Sequence, residues 1–287
     1  MHPIPIFYYH SVGGPRPHSL DLHNFRRHLE LLRLHGFETV TVADLVLHPA
    51  PQRKRAALAF DDGLLDNYTH ALPLLLEYGC RATFYVVPGY DSVTRWVQPR
   101  SGRWSDVPRA GYTLPFPSMS PAQRSELVSY GMEIGSHSYT HRKLGRVPVA
   151  DLAHETRDSK LRLEDELGRE VCTFCYPYGS FNRAVLRAVQ EAGYQAACST
   201  IPGYFSSSPS RFWLRRFLVE SPAYFEAVLT GRAFSPKALA PLFFRHAAQW
   251  IRALFTAAAD IASGPNHIVP SVDPIPEARR TEPPSHG

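Results

Sequence analysis

Short apolar runs alternate with longer stretches of helical periodicity along most of the chain. IPIFYY (4–9), AALAF (56–60), ATFYVV (82–87), MEIGSH (132–137), VCTFCY (171–176) and QAACST (195–200) predict strands. Between them, FRRHLELLRLHGF (25–37), DNYTHALPLLLEYG (66–79), PAQRSELVSYG (121–131), VADLAHETRDSKLRLEDELG (149–168) and NRAVLRAVQEAGY (182–194) predict helices. Strands bounded by helices in this order predict an α/β fold. Its sheet is parallel with helical crossovers, either open or closed into a barrel.

Two stretches break the rhythm. Residues 88–119 are rich in Pro, Gly, Ser and Arg and predict one long excursion loop. Loops of that length in compact domains often form substrate-binding edges or lids, and an insertion without a role is the alternative. Residues 236–262 set Arg245, Gln249, Arg252, Thr256 and Asp260 opposite Leu242, Trp250, Ile251, Leu254 and Ile261, the pattern of an amphipathic helix. Such a helix packs on its own domain, lies on a membrane surface or meets a partner. The expected organisation is therefore a domain over 1–232, an amphipathic helix over 233–263 and a Pro-rich disordered tail over 264–287.

Composition narrows the class. A 44% hydrophobic and 20% charged content fits a soluble globular chain with a sizeable core. The 12% aromatics suit sugar rings, although they also fill cores. A net charge of +5 permits attraction to anionic glycans, phosphorylated lipid carriers or a membrane surface. No basic run with interleaved aromatics and no nucleic-acid motif occurs, so nucleic acid is not an expected partner. No apolar run approaches the roughly 18 residues of a membrane span, and no leader pattern opens the chain, so a cytoplasmic location is expected. Cys80, Cys172, Cys175 and Cys198 are few and irregularly spaced, which argues against a disulfide framework. Cys172 and Cys175 lie in a strand-like run at an odd separation. They should point to opposite faces and act as buried thiols, not as a redox or zinc pair.

The chemistry gathers at strand ends. AALAF ends in Asp61-Asp62-Gly63, MEIGSH ends in His137 with His141 four residues on, VCTFCY runs into Pro177-Tyr178-Gly179, and IPIFYY ends in His10. In parallel α/β folds the C-terminal edge is where sites are built, because the loops that follow surround it. Asp-Asp-Gly alone suits a turn, and a His pair in a chain with 14 histidines is weak evidence alone. Together, one carboxylate and two imidazoles make an open catalytic metal site.

AFDDG (59–63), GSHSYTH (135–141) and CYPYG (175–179), in that order, resemble the polysaccharide deacetylase family of carbohydrate esterases, across roughly residues 4–230. The resemblance implies a distorted (β/α) barrel of about seven strands and removal of N-acetyl groups from a glycan or glycan precursor, with release of acetate; whether that substrate is lipid-linked stays open. It implies that Asp61 is the general base and that Asp62, His137 and His141 hold one divalent cation. Zn2+ is the expected ion, with Co2+, Ni2+, Mn2+ and Fe2+ as alternatives. It also implies that Pro177 and Tyr178 line the substrate and that the Tyr178 N–H serves the oxyanion. Two positions depart from the pattern. Cys175 stands where the family carries an Arg that pairs with the base, and Arg216 in WLRRF is the candidate replacement. No Leu-x-His follows near residues 221–235; Tyr9-His10 instead matches a branch resembling the poly-N-acetylglucosamine deacetylases, which makes His10 the expected acid. His246 and His267 lie in a helix and a tail unsuited to that role. An O-acetyl esterase, a small-amide hydrolase and a non-catalytic glycan-binding relative are the competing readings.

Overall fold

The computed structural model describes residues 3–14, 19–50, 52–90, 95–97, 104–106 and 117–235. Ten strands occur among them: β1 Ile6–Tyr9, β2 Glu38–Val40, β3 Arg55–Phe60, β4 Thr83–Val86, β5 Arg95–Val97, β6 Trp104–Asp106, β7 Glu133–Ser136, β8 Thr173–Cys175, β9 Ala196–Cys198 and β10 Phe217–Leu218. The helices are α1 Leu22–Leu34, α2 Val42–Leu47, α3 Leu72–Glu77, α4 Pro121–Ser129, α5 Ser159–Leu167, α6 Arg183–Glu191 and α7 Pro222–Leu229.

Seven strands run β10-β1-β3-β4-β7-β8-β9, every pair parallel, and β2 joins the start of β3. The two ends of that path approach each other through residues 211–218. Leu214 bridges Cys198 in parallel, the Leu214 N–H donates to Ala197 O, and Phe217 then pairs with Phe7 of β1. The sheet thus curls into the distorted (β/α) barrel expected from the alternation of strands and helices.

Period-two patterning sorts each strand between two environments. Phe7, Tyr9, Leu58, Phe60, Phe84, Val86 and Phe174 pack with the helices in one apolar cluster. Ile6, Tyr8, Ala57, Ala59, Tyr85, Cys175, Ala196, Cys198 and Leu214 form the other, inside the curl. Three of those inward positions are alanines, and that saved volume leaves room for a buried guanidinium, Arg216.

Several elements differ from the sequence pattern. β2 and α2 were not predicted, because a three-residue strand and a six-residue helix carry too little periodicity. The Thr41–Asp44 capping box starts α2. The helix expected over 66–79 begins as a π-turn, Asn67–Ala71. Pro73 supplies the reason: it has no N–H for the carbonyl four residues back, and its ring crowds that carbonyl. The helix expected over 149–168 is likewise a 3-10 turn at Val149–Asp151, a π-turn at His154–Asp158, and then α5. Within the expected excursion loop, β5 and β6 form an antiparallel pair. The predicted helix and tail over 233–287 lie almost entirely outside the described residues, as do His246 and His267. No helix among the described residues is long and apolar enough to cross a membrane.

Candidate active site

Parallel pairing delivers the site residues. The Asp61 N–H donates to Tyr9 O at 2.9 Å, the His137 N–H to Val86 O at 2.8 Å and the Tyr176 N–H to Cys198 O at 3.0 Å. Each bond carries a ladder past its strand and fixes the backbone where the side-chain chemistry begins. Beyond that point the loops turn sharply. Asp62 (φ 76°), Ser138 (φ 63°), His141 (φ 58°) and Tyr178 (φ 59°) are the non-glycine residues at positive φ among the described residues. Such conformations cost on the order of 1 kcal/mol or more each, and they persist where surrounding contacts enforce them. All four fall in the three motifs.

Asp62, His137 and His141 are buried, and one ligand atom from each lies within 4.8 Å of the others. Asp62 Oδ1 is 3.1 Å from His141 Nε2 and 3.5 Å from His137 Nε2. His137 Nδ1 bonds the Cys175 carbonyl at 2.8 Å, so Nδ1 carries the proton and the Nε2 lone pair faces Asp62. The Ser138 hydroxyl accepts from the His141 N–H at 2.9 Å and closes the loop between the two histidines. One carboxylate and two oriented imidazoles suit a zinc-type cation and leave coordination positions open.

A second trio, Asp61, His137 and Cys175, is equally close but chemically unsuited. Arg216 donates to both Asp61 oxygens at 2.8 Å, through Nη1 and Nη2. Burial pushes the Cys175 thiol well above its ordinary range, so it stays protonated, 3.1 Å from Arg216 Nη2 and 3.7 Å from Asp61 Oδ1. Cys175 was expected to be a buried thiol, and it is; Cys172 is only partly buried.

Asp61 is 2% exposed. Burial alone would raise its carboxyl, but the charge and two hydrogen bonds of Arg216 outweigh that, with smaller help from His137 and His10. The net direction is downward, so Asp61 is ionised at neutral pH. Arg216 is itself held by Ser199 O at 2.8 Å, and its guanidinium lies 4.3 Å from the centre of the Tyr8 ring.

His10 follows β1 on the Asp61 side, half-buried, with its ring 5.8 Å from that of Tyr8. Its carbonyl accepts from Asn67 Nδ2 at 2.6 Å, and Asp66 accepts from Ser11 Oγ and the Val12 N–H just beyond. Pro177 is buried in a 3-10 turn; Tyr178 is 37% exposed, its ring 4.7 Å from that of His141 and 5.3 Å from Lys143 Nζ. Asn67, Lys143 and the barrel-lining Tyr8 are neighbours that the motifs do not signal, because each lies outside the motif residues themselves.

The model of the polysaccharide deacetylase family matches residues 48–197, just over half of the chain. The chain is 26% identical over 236 residues to YxkH of Bacillus subtilis (strain 168), covering 80% of this chain and 74% of that one. In fold it is similar to the Streptococcus pyogenes deacetylase PplD in complex with acetate, with a TM-score of 0.65 and 22% identity over 79% of this chain and 97% of that one. It is similar also to IcaB from Ammonifex degensii, with a TM-score of 0.64 and 23% identity over 81% of this chain and 98% of that one. The motif-bearing half of the sequence and the barrel it folds into agree: the chain belongs to the polysaccharide deacetylase family and is a hydrolase.

Proposed function

We propose that this chain removes N-acetyl groups from a glycan by metal-dependent hydrolysis, and that it falls in the branch whose acid is the histidine of an N-terminal Tyr-His. The observation that carries the reading is an ionised, arginine-held carboxylate, Asp61, placed next to a buried Asp62–His137–His141 cluster. A divalent cation bound by Asp62, His137 and His141, most simply Zn2+, supplies acidification of water and polarisation of the acetyl carbonyl.

The protein's own residues do the remainder. Asp61 takes the proton from the attacking water. Its two bonds to Arg216 fix the direction of its lone pairs, and the ionised form is the one poised to accept. The Tyr178 N–H, turned by its positive φ, stabilises charge that develops on the carbonyl oxygen. His10 donates a proton to the departing nitrogen. An amine is a poor leaving group without that proton, so an acid at this place favours amides over esters. Tyr178 and Lys143 at the rim present a ring and a cation to the sugar.

Acetate release tests the reading. Zinc-loaded protein should deacetylate an N-acetylated oligosaccharide faster than an O-acetylated one, and a chelator should abolish both. A preference for the O-acetylated glycan would make the chain an esterase, and turnover that survives metal removal would overturn the metal reading.

A further inference from the structure

The loop between the two histidines has an anchor outside all three motifs. Glu155, on the π-turn His154–Asp158, is 1% exposed. Its Oε2 accepts from the Thr140 N–H at 2.9 Å and its Oε1 from the Thr140 hydroxyl, while its own carbonyl accepts from the Tyr139 N–H at 3.1 Å. One residue therefore takes three donors from two consecutive positions, Tyr139 and Thr140, of the four-residue stretch 138–141 that ends in His141. That span contains two of the positive-φ residues, Ser138 and His141. A loop in such a conformation relaxes unless something holds it.

The charge is as informative as the hydrogen bonds. Both carboxylate oxygens act as acceptors, and no Lys, Arg or His lies within ion-pair distance of Glu155 among the described residues. A buried carboxylate without a cation is costly. A divalent ion at Asp62, His137 and His141 would supply positive charge across the loop that Glu155 holds. The π-turn is a means of presentation, since it turns a side chain and a carbonyl of one residue toward the same loop.

We infer that Glu155 is a positioning residue that sets metal affinity by clamping the His137–His141 loop and by placing an uncompensated negative charge behind it. This inference rests on the metal site proposed above.

Zinc competition against a chromophoric chelator, with melting of metal-free protein alongside, separates the cases. Glu155→Ala should weaken zinc binding about 10–100-fold, the usual effect of losing an outer-shell partner. Glu155→Gln keeps an acceptor for the Thr140 N–H, removes the charge and sets an NH2 that can donate to the Thr140 hydroxyl in place of the second acceptor, so its loss should be smaller but measurable. Thr140→Val removes one bond, leaves the carboxylate in place, and should also weaken binding if Glu155→Ala proves unable to fold. Variants that bind zinc as the wild type does overturn the inference, even where their metal-free melting temperatures fall, because that pattern marks a purely structural role. Wild-type protein that takes up no zinc overturns both the clamp and the metal site beneath it.

Discussion

Arg216 meets Asp61 through two parallel 2.8 Å bonds, a bidentate pair closed between residues 155 positions apart in the chain. Arg216 enters through residues 211–218, the stretch that completes the barrel, so closure of the sheet and orientation of the Asp61 carboxylate are one structural event. Cys175, at the position where an arginine was expected from the family pattern, lies against both partners. Its small side chain vacates the volume that the Arg216 guanidinium fills.

Removing the guanidinium leaves a buried carboxylate uncompensated. Arg216→Ala should therefore cost about 3–5 kcal/mol of stability in urea denaturation. Adding Asp61→Asn should return much of that loss without restoring activity. A pair of single variants whose costs simply add would show that the two groups are not coupled.

Cys175→Arg places a second guanidinium where one already fills the space. Overpacking and like charge should together destabilise the chain by about 3 kcal/mol or more. Combined with Arg216→Ala, the same change re-creates an ion pair with Asp61 from the other strand, and stability should recover. If the double variant is no more stable than Cys175→Arg alone, the two positions do not substitute for one another.

His28 sets an acid limit on the fold. It is stacked 4.3 Å from Phe225 and bonded to Tyr9 Oη, and burial lowers its pKa from 6.5 to about 3. Between those values the unfolded chain binds the proton and the folded chain does not. The neutral form's contribution is complete above pH 6.5 and is lost as pH falls toward 3. The loss attributable to His28 between pH 7 and pH 5 should be about 2 kcal/mol. His28→Phe should flatten that part of the stability–pH curve, and an unchanged slope would show that His28 titrates alike in both states.

Asn67 holds the backbone of the proposed acid. Asn67→Ala frees the His10 carbonyl and should lower turnover about tenfold or more through misplacement, with metal content unchanged. His10→Ala should slow acetamides more than activated esters, and equal losses on both would contradict the acid role.

Six of the seven strands in the barrel path were legible because each is a short apolar run ended by polar groups, from IPIFYY to QAACST. The two helical breaks were not, since hydrophobic periodicity passes smoothly through Pro73 and through His154–Asp158. β2 and β10 are too short to show a period, and α7 is announced only by the Ser221-Pro222 start. At the site, motif residues could be read because strand ends fix them. The partners that hold them, Glu155 and Asn67, are ordinary residues of other elements that only the tertiary fold brings near. Arg216 was visible in the sequence as a candidate, but nothing local distinguishes it from Arg215, whose backbone instead donates to Ser208.

The division of labour between the two neighbouring aspartates is measured most directly by Asp61→Asn. Loaded with zinc and given an N-acetylated oligosaccharide, this variant should retain one ion per chain while acetate release falls by at least about a hundredfold. Near-normal release by a metal-replete Asp61→Asn protein would contradict the assignment of Asp61 as the base.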